Sequence, residues 1–231
     1  MQQENMEGNN EMSRKGSIRN ILDQLLQRYP VLRENEQELL AAYEILINCF
    51  ESDGRLFVCG NGGSAADALH IAGELMKRFI LPRKTDEAFR KEFARLYPKE
   101  AQRYGEFLEG ALPVYALVEN ASLSTAFAND VSPELTFAQQ VYGYGRKNDV
   151  LLGISTSGNA KNVTLAAEVA KAKGMKVISL TGKTGGSLKE IGDTAVCVPE
   201  KETYLIQELH LPVYHALCRM IEAHFWEKDD I

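Results

Sequence analysis

The sequence predicts an α/β fold, a three-layer α/β/α arrangement with a five-stranded parallel sheet in the middle layer. Three observations carry this. Five short apolar runs lack the strict alternation of a half-exposed strand, helix-period stretches separate them, and a glycine- or hydroxyl-rich turn follows two of them.

Taken along the chain, residues 1–15 are polar and rich in Asn, Gln and Glu, and read as a disordered tail. Residues 16–231 read as a single domain. Its N-terminal helices occupy 16–52: Ile21, Leu22, Leu25 and Leu26 recur near a 3.6 period, and Leu39, Leu40, Tyr43, Leu46, Ile47 and Phe50 repeat the pattern. The first strand is Arg55–Gly60 (RLFVCG), followed by a helix over 64–80. Residues 83–110 break the rhythm. They are charged, with aromatics at Phe89, Phe93, Tyr97, Tyr104 and Phe107, and read as a helical insertion between the first two strands. The remaining strands are Leu112–Val118, Asp149–Ser155, Lys176–Gly182 and Thr194–Pro199, and the helices between them fall at 121–145 in pieces, 159–173 and 185–191. A last helix spans 203–226, where Pro212 predicts a kink or a broken first segment.

Composition sets the outer bounds. The chain has 231 residues, 45% of them hydrophobic and 25% charged, with a formal charge of −6. These are globular values and argue against bulk nucleic-acid binding. No run of ~18 apolar residues predicts a membrane span, and the polar N-terminus does not read as a signal peptide. Cys49, Cys59, Cys197 and Cys218 are scattered without a CxxC pair, so a reduced, cytoplasmic protein with inert thiols is expected.

Three places carry chemistry-bearing residues. CGNGGS, with Asn61, Gly62, Gly63 and Ser64, ends the first strand and opens a helix. Its backbone N–H groups and positive dipole end suit a phosphate, although a tight strand-to-helix turn needs no ligand. STSGN, with Ser155, Thr156, Ser157 and Asn159, follows the third strand and offers hydroxyls and amides to an anion. An N-cap cluster explains the same residues. Both turns lie where open α/β sheets bind ligands. His70 and Glu74 share a helical face at i, i+4, and the last helix offers Gln207, Glu208, His210 and His215. Such groups make a metal or acid/base pair, or a plain polar face. CGNGGS does not spell G-x-G-x-x-G, and no acidic residue closes a second strand, so no nucleotide cofactor is expected.

Five blocks taken together, CGNGGSAADALHIAGEL (59–75), AFANDVSPE (126–134), DVLLGISTSGNAKNV (149–163), KVISLTGKTGG (176–186) and IQELHLPVYH (206–215), resemble the SIS-domain phosphosugar isomerases, and among them the phosphoheptose isomerase family. The resemblance covers most of 35–226 apart from 83–110. It implies a flavodoxin-like SIS domain and interconversion of sedoheptulose 7-phosphate and D-glycero-D-manno-heptose 7-phosphate through an enediol. Glu74 and His215 are implied as the acid/base pair. Asn61, Gly62, Gly63, Ser64, Asn129, Asp130, Ser155, Thr156, Ser157, Asn159 and Gln207 are implied to contact the phosphorylated sugar. His70, Glu74, Gln207 and His215 are implied as ligands of a zinc ion. A homotetramer with shared active sites is implied as well, with neither membrane nor nucleic acid as partner. Non-catalytic relatives sense a sugar phosphate or bind a replication or transcription protein. They lose the acid/base pair, whereas this chain keeps both members. Ala160 replaces a frequent phosphate-binding serine, and Gly73 stands where a second glutamate often precedes the catalytic one.

Overall fold

The computed structural model describes residues 16–227, so the expected tail at 1–15 lies outside the described residues. Helix α1 (16–28) leads through a short 3-10 turn (Pro30–Asn35) to α2 (Glu36–Glu51). The sheet consists of β1 (Leu56–Cys59), β2 (Val114–Ala116), β3 (Val150–Ser155), β4 (Lys176–Thr181) and β5 (Thr194–Cys197). All pairings are parallel, in the order β2-β1-β3-β4-β5. The five apolar runs of the sequence are these five strands.

Successive side chains of a strand point to opposite faces, and here both faces are covered. Leu56 and Val58 of β1, Val150, Leu152 and Ile154 of β3, and Ile178 and Leu180 of β4 face one core. That core is shared with α1, α2, α3 (Gly63–Met76) and α10 (Thr203–Trp226). Phe57, Cys59, Leu151 and Val177 face the other, with α7 (Thr136–Tyr144), α8 (Lys161–Ala172) and α9 (Gly186–Ile191). A strand buried on both sides has no polar face to alternate with, which is why β1 and β3 read as continuous hydrophobicity; the edge strand β2 exposes Tyr115.

Residues 83–110 form two short helices, α4 (Glu87–Leu96) and α5 (Ala101–Phe107). Neither contains a buried residue. Phe93 packs on Phe89, Tyr97 and Tyr104, so the hairpin is held by its own aromatic rings. A tenth helix, α6 (Ala121–Asp130), packs on α7 and the Pro133–Leu135 turn.

Two expected boundaries change. The helix expected over 64–80 stops at Met76, because the backbone N–H groups of Phe79, Ile80 and Leu81 donate to the Glu222 carboxylate (2.8, 2.8 and 3.1 Å). Pro212 does not break α10, which runs as one 24-residue helix. Burial of Val213, Tyr214, Ala216 and Leu217 just beyond the proline outweighs its cost of about 3 kcal/mol. All four thiols are free, and burial pushes Cys49 and Cys59 up to about 12, which keeps them protonated. Among the described residues no helix is long and apolar enough to cross a membrane.

Candidate active site

In a sheet of order 2-1-3-4-5 the direction of winding reverses between β1 and β3, and the crevice outside their C-terminal ends is the natural ligand site. CGNGGS leaves β1 at that crevice. Gly62 adopts φ 56°, a left-handed value that lets the chain turn directly into α3. The Ser64 N–H donates to the Asn61 carbonyl (3.0 Å), and Ser64 is buried. The amide of Gln207, on α10, lies where a side chain on Gly63 would have to go.

STSGN leaves β3 on the other side. The Ser155 hydroxyl is buried, 3.5 Å from the Ser157 hydroxyl, and accepts from the Ala160 N–H at 3.4 Å. Ala160 occupies the N-cap of α8 with no side-chain acceptor to offer, so the Ser155 oxygen serves that amide. Asn159 ties its loop to the start of α9: its N–H and Nδ2 donate to Ser157, and its Oδ1 accepts from the N–H and hydroxyl of Ser187. The Thr156 carbonyl accepts from the Gly182 N–H (3.0 Å). Gly158, at φ 68°, sits against the backbone of Gly185 and Gly186, and neither loop has room for a Cβ there. The β1 turn is tied to the start of α8 by a reciprocal amide pair: Asn61 and Asn162 each donate Nδ2 to the other's Oδ1 at 2.9 Å. The sequence held no signal for Asn162, because the pair joins residues a hundred positions apart.

The acid/base candidates meet farther along α3, where α10 packs beside it. His70 Nε2 lies 3.2 Å from Glu74 Oε1 and 3.5 Å from His215 Nε2. The His70 and His215 rings cross at 4.9 Å between centroids, and Phe79 packs on His215 at 5.2 Å. Burial, with His70 beside it, lowers the His215 pKa, while Glu74 acts in the opposite sense. Tyr214 is buried, and its hydroxyl sits between His70 Nδ1 (3.0 Å) and Asp67 Oδ1 (3.3 Å). Burial and the Asp67 carboxylate raise the Tyr214 pKa, so the phenol keeps its proton. Asp67, His70 and Glu74 fall at i, i+3 and i+7, a spacing that could have marked Asp67 in the sequence. A cavity of about 370 Å³ opens beside His215 between α1 and α10, with Arg28, Phe79 and Arg219 on its wall.

The donor chemistry can be tested against zinc. With ligand bonds of about 2.1 Å a tetrahedral site has edges of about 3.4 Å. The two edges His70 makes, to Glu74 and to His215, are of that length. Nitrogen and carboxylate oxygen are the atoms zinc takes. The cluster is nonetheless open: among the described residues no three His, Cys, Asp or Glu side chains are set to hold an ion as they stand. Gln207 lies toward Gly63, eight residues before His215 and so about 12 Å of helix rise away.

Other predicted positions stand apart. Asn129 and Asp130 end α6 and hydrogen-bond each other at 2.8 Å. A Cβ on Gly73 would meet open space, so no packing demand excludes a side chain there. Along α3 the CGNGGS turn and Glu74 are separated by about 16 Å of helix rise.

The SIS domain family matches residues 19–91 and 123–220. A phosphoheptose isomerase from Helicobacter pylori (strain P12) is 42% identical over 197 residues, which is 85% of this chain and 89% of that one. The structure of phosphoheptose isomerase GmhA from Neisseria gonorrhoeae superposes with a TM-score of 0.67 at 31% identity, covering 96% of this chain and 100% of the other. A phosphoheptose isomerase from Francisella tularensis gives 0.69 at 29% identity, covering 89% and 96%. With the five-stranded parallel sheet, the two turns at its switch point and this extent of identity, the chain belongs to the phosphoheptose isomerase family of SIS-domain proteins.

Proposed function

We infer that this chain is an aldose–ketose isomerase that converts sedoheptulose 7-phosphate to D-glycero-D-manno-heptose 7-phosphate through an enediol. The observation that carries this reading is that Glu74 and His215, from separate helices, both come within 3.5 Å of His70 Nε2. The relatives are phosphoheptose isomerases, which points to a heptose phosphate as the sugar.

The phosphate is held by the 61–64 and 155–159 turns, where backbone N–H groups, hydroxyls and the start of α3 supply donors without a basic cluster. Asn61, Ser64, Ser155, Thr156 and Ser157 make these contacts, with Asn129, Asp130, Asn159 and Gln207 around the sugar. The Glu74 carboxylate removes a proton from C1 of the ketose, and the electron pair forms the C1–C2 double bond of the enediol. His215 donates a proton to the oxygen at C2 and takes one from the oxygen at C1. Glu74, its proton exchanged with solvent, protonates C2, and the aldose results.

Zinc is part of this reading: His70, Glu74 and His215 would hold it, and Gln207, about 12 Å of helix rise from His215 in the same chain, would join them only from a neighbouring subunit. When bound it supplies Lewis-acid polarisation of the carbonyl. The reading also takes the protein to be a cytoplasmic homotetramer with sites completed between subunits. Two features support shared sites: the separation of turn and cluster along α3, and the exposed apolar side chains of Leu69, Met76, Ile80 and Leu211 around the cluster.

The test is incubation of the purified protein with sedoheptulose 7-phosphate in D2O, followed by NMR. The expected result is the heptose 7-phosphate carrying deuterium at C2. Absence of conversion would sink the substrate assignment, and product without solvent deuterium would argue against an enediol open to exchange.

A further inference from the structure

We propose that Tyr214 is a positioning residue that fixes His70 as the Nδ1–H tautomer and presents a bare Nε2 to Glu74 and His215. The inference rests on the reading of His70 as a member of the active cluster.

The argument is a proton count along one hydrogen-bond chain. The Tyr214 hydroxyl has one proton and lies 3.3 Å from Asp67 Oδ1 and 3.0 Å from His70 Nδ1. Burial raises the Asp67 pKa, but above pH 7 the carboxylate is ionised and can only accept, so the phenol proton goes to Asp67. The phenol oxygen is then an acceptor, and His70 Nδ1 must donate to it. A neutral imidazole that carries its proton on Nδ1 has none on Nε2.

The environment leaves this chain little freedom. The Tyr214 ring is 2% exposed and crosses both His70 (5.5 Å, 74°) and His215 (5.0 Å, 89°) edge to face. Asp67 Oδ2 is buried without a hydrogen-bond partner, so the Tyr214 hydroxyl is the contact that satisfies this carboxylate. The His70 Nε2 lone pair then faces Glu74 Oε1 at 3.2 Å and His215 Nε2 at 3.5 Å. The bare Nε2 can then accept a proton from His215, and it is the lone pair a cation would take. Fixing the far nitrogen of a ligating histidine is a recognised way to orient the near one.

The experiment is long-range 1H–15N correlation on the full-length 15N-labelled protein above pH 7, with His70→Gln to assign the ring. The wild type should show His70 protonated at Nδ1 and bare at Nε2. Tyr214→Phe removes the acceptor and should move the proton toward Nε2. Asp67→Ala keeps the tyrosine but frees its proton for His70 Nδ1, so it too should yield the Nε2–H form, which a merely structural tyrosine would not produce. A wild-type Nε2–H ring, or an unchanged ring in both variants, overturns the proposal.

Competition with a chromophoric chelator gives a second readout. Tyr214→Phe should bind zinc roughly 10–100-fold more weakly than the wild type. If the wild type takes no zinc but the tautomers move as described, the metal reading fails and the assignment to Tyr214 stands. If the wild type binds zinc and Tyr214→Phe binds it equally well with the same tautomer, the positioning role is wrong.

Discussion

The guanidinium of Arg83 donates to the backbone carbonyl of Glu74 at 3.0 Å, so a charge buried behind the site grips the helix end that carries the carboxylate. It also donates to the Leu75 carbonyl (2.8 Å) and to Glu222 (2.8 Å), and it stacks over Trp226. The last carbonyls of a helix need outside donors, and Arg83 supplies them here. Glu222 in turn collects the three amides that end α3. Glu222→Ala leaves Arg83 buried and unpaired. Urea unfolding should show a loss of about 3–5 kcal/mol, and a loss under about 1 kcal/mol would mean the pair is not structurally important.

Glu74→Gln should lower kcat by about 10²–10⁴-fold if the carboxylate moves the proton at carbon. The fold should survive, because Glu74 anchors the lock through its backbone. Turnover at the wild-type rate rules the assignment out.

Ser155→Ala should act on KM rather than kcat, since a phosphate is held alike in the ground and transition states. Initial rates over a range of substrate concentrations separate the two. A collapsed kcat at unchanged KM would contradict the phosphate role.

His210 gives the stability a pH dependence. It is fully buried on α10, and neither ring nitrogen has a well-formed hydrogen bond; the Thr181 backbone opposes the shift only weakly. Burial lowers its pKa from 6.5 to about 4. Between those values the unfolded chain binds the proton and the folded one does not. Stability is therefore retained above pH 6.5 and lost as the pH falls toward 4, by roughly 3 kcal/mol in all. Urea midpoints should fall with pH across that window, and His210→Leu should flatten the slope. An acid limb equally steep in the variant would place the cause elsewhere.

Zinc should be found in the purified protein by elemental analysis. Stripping it should lower turnover, and adding it back should restore the loss. Full activity in a demonstrably metal-free sample would defeat the zinc part of the reading.

What the sequence made legible follows from the range of the forces involved. Strands buried on two faces announce themselves as unbroken apolar runs, and His70 and Glu74 declare a shared face by their spacing. The end of α3 does not, because Glu222, more than 140 positions later in the chain, decides it. The continuity of α10 through Pro212 likewise depends on packing against neighbours that a local pattern does not contain. The sequence offers His215 as one of four polar groups on the last helix, and only the resemblance singles it out, since its partner is set by how two helices lie together. Asn162 and Tyr214 were missed for the same reason.

Gly158 and Gly186 occupy the space each other's side chains would need, whereas a Cβ on Gly185 would meet Lys189 and Cys197. The lips beside β3 and β4 are thereby coupled: a single methyl group on either pushes the other aside. Adaptation of this rim to a different sugar is steered away from the glycines and toward side chains that already project, with paired changes as the only route through the contact itself.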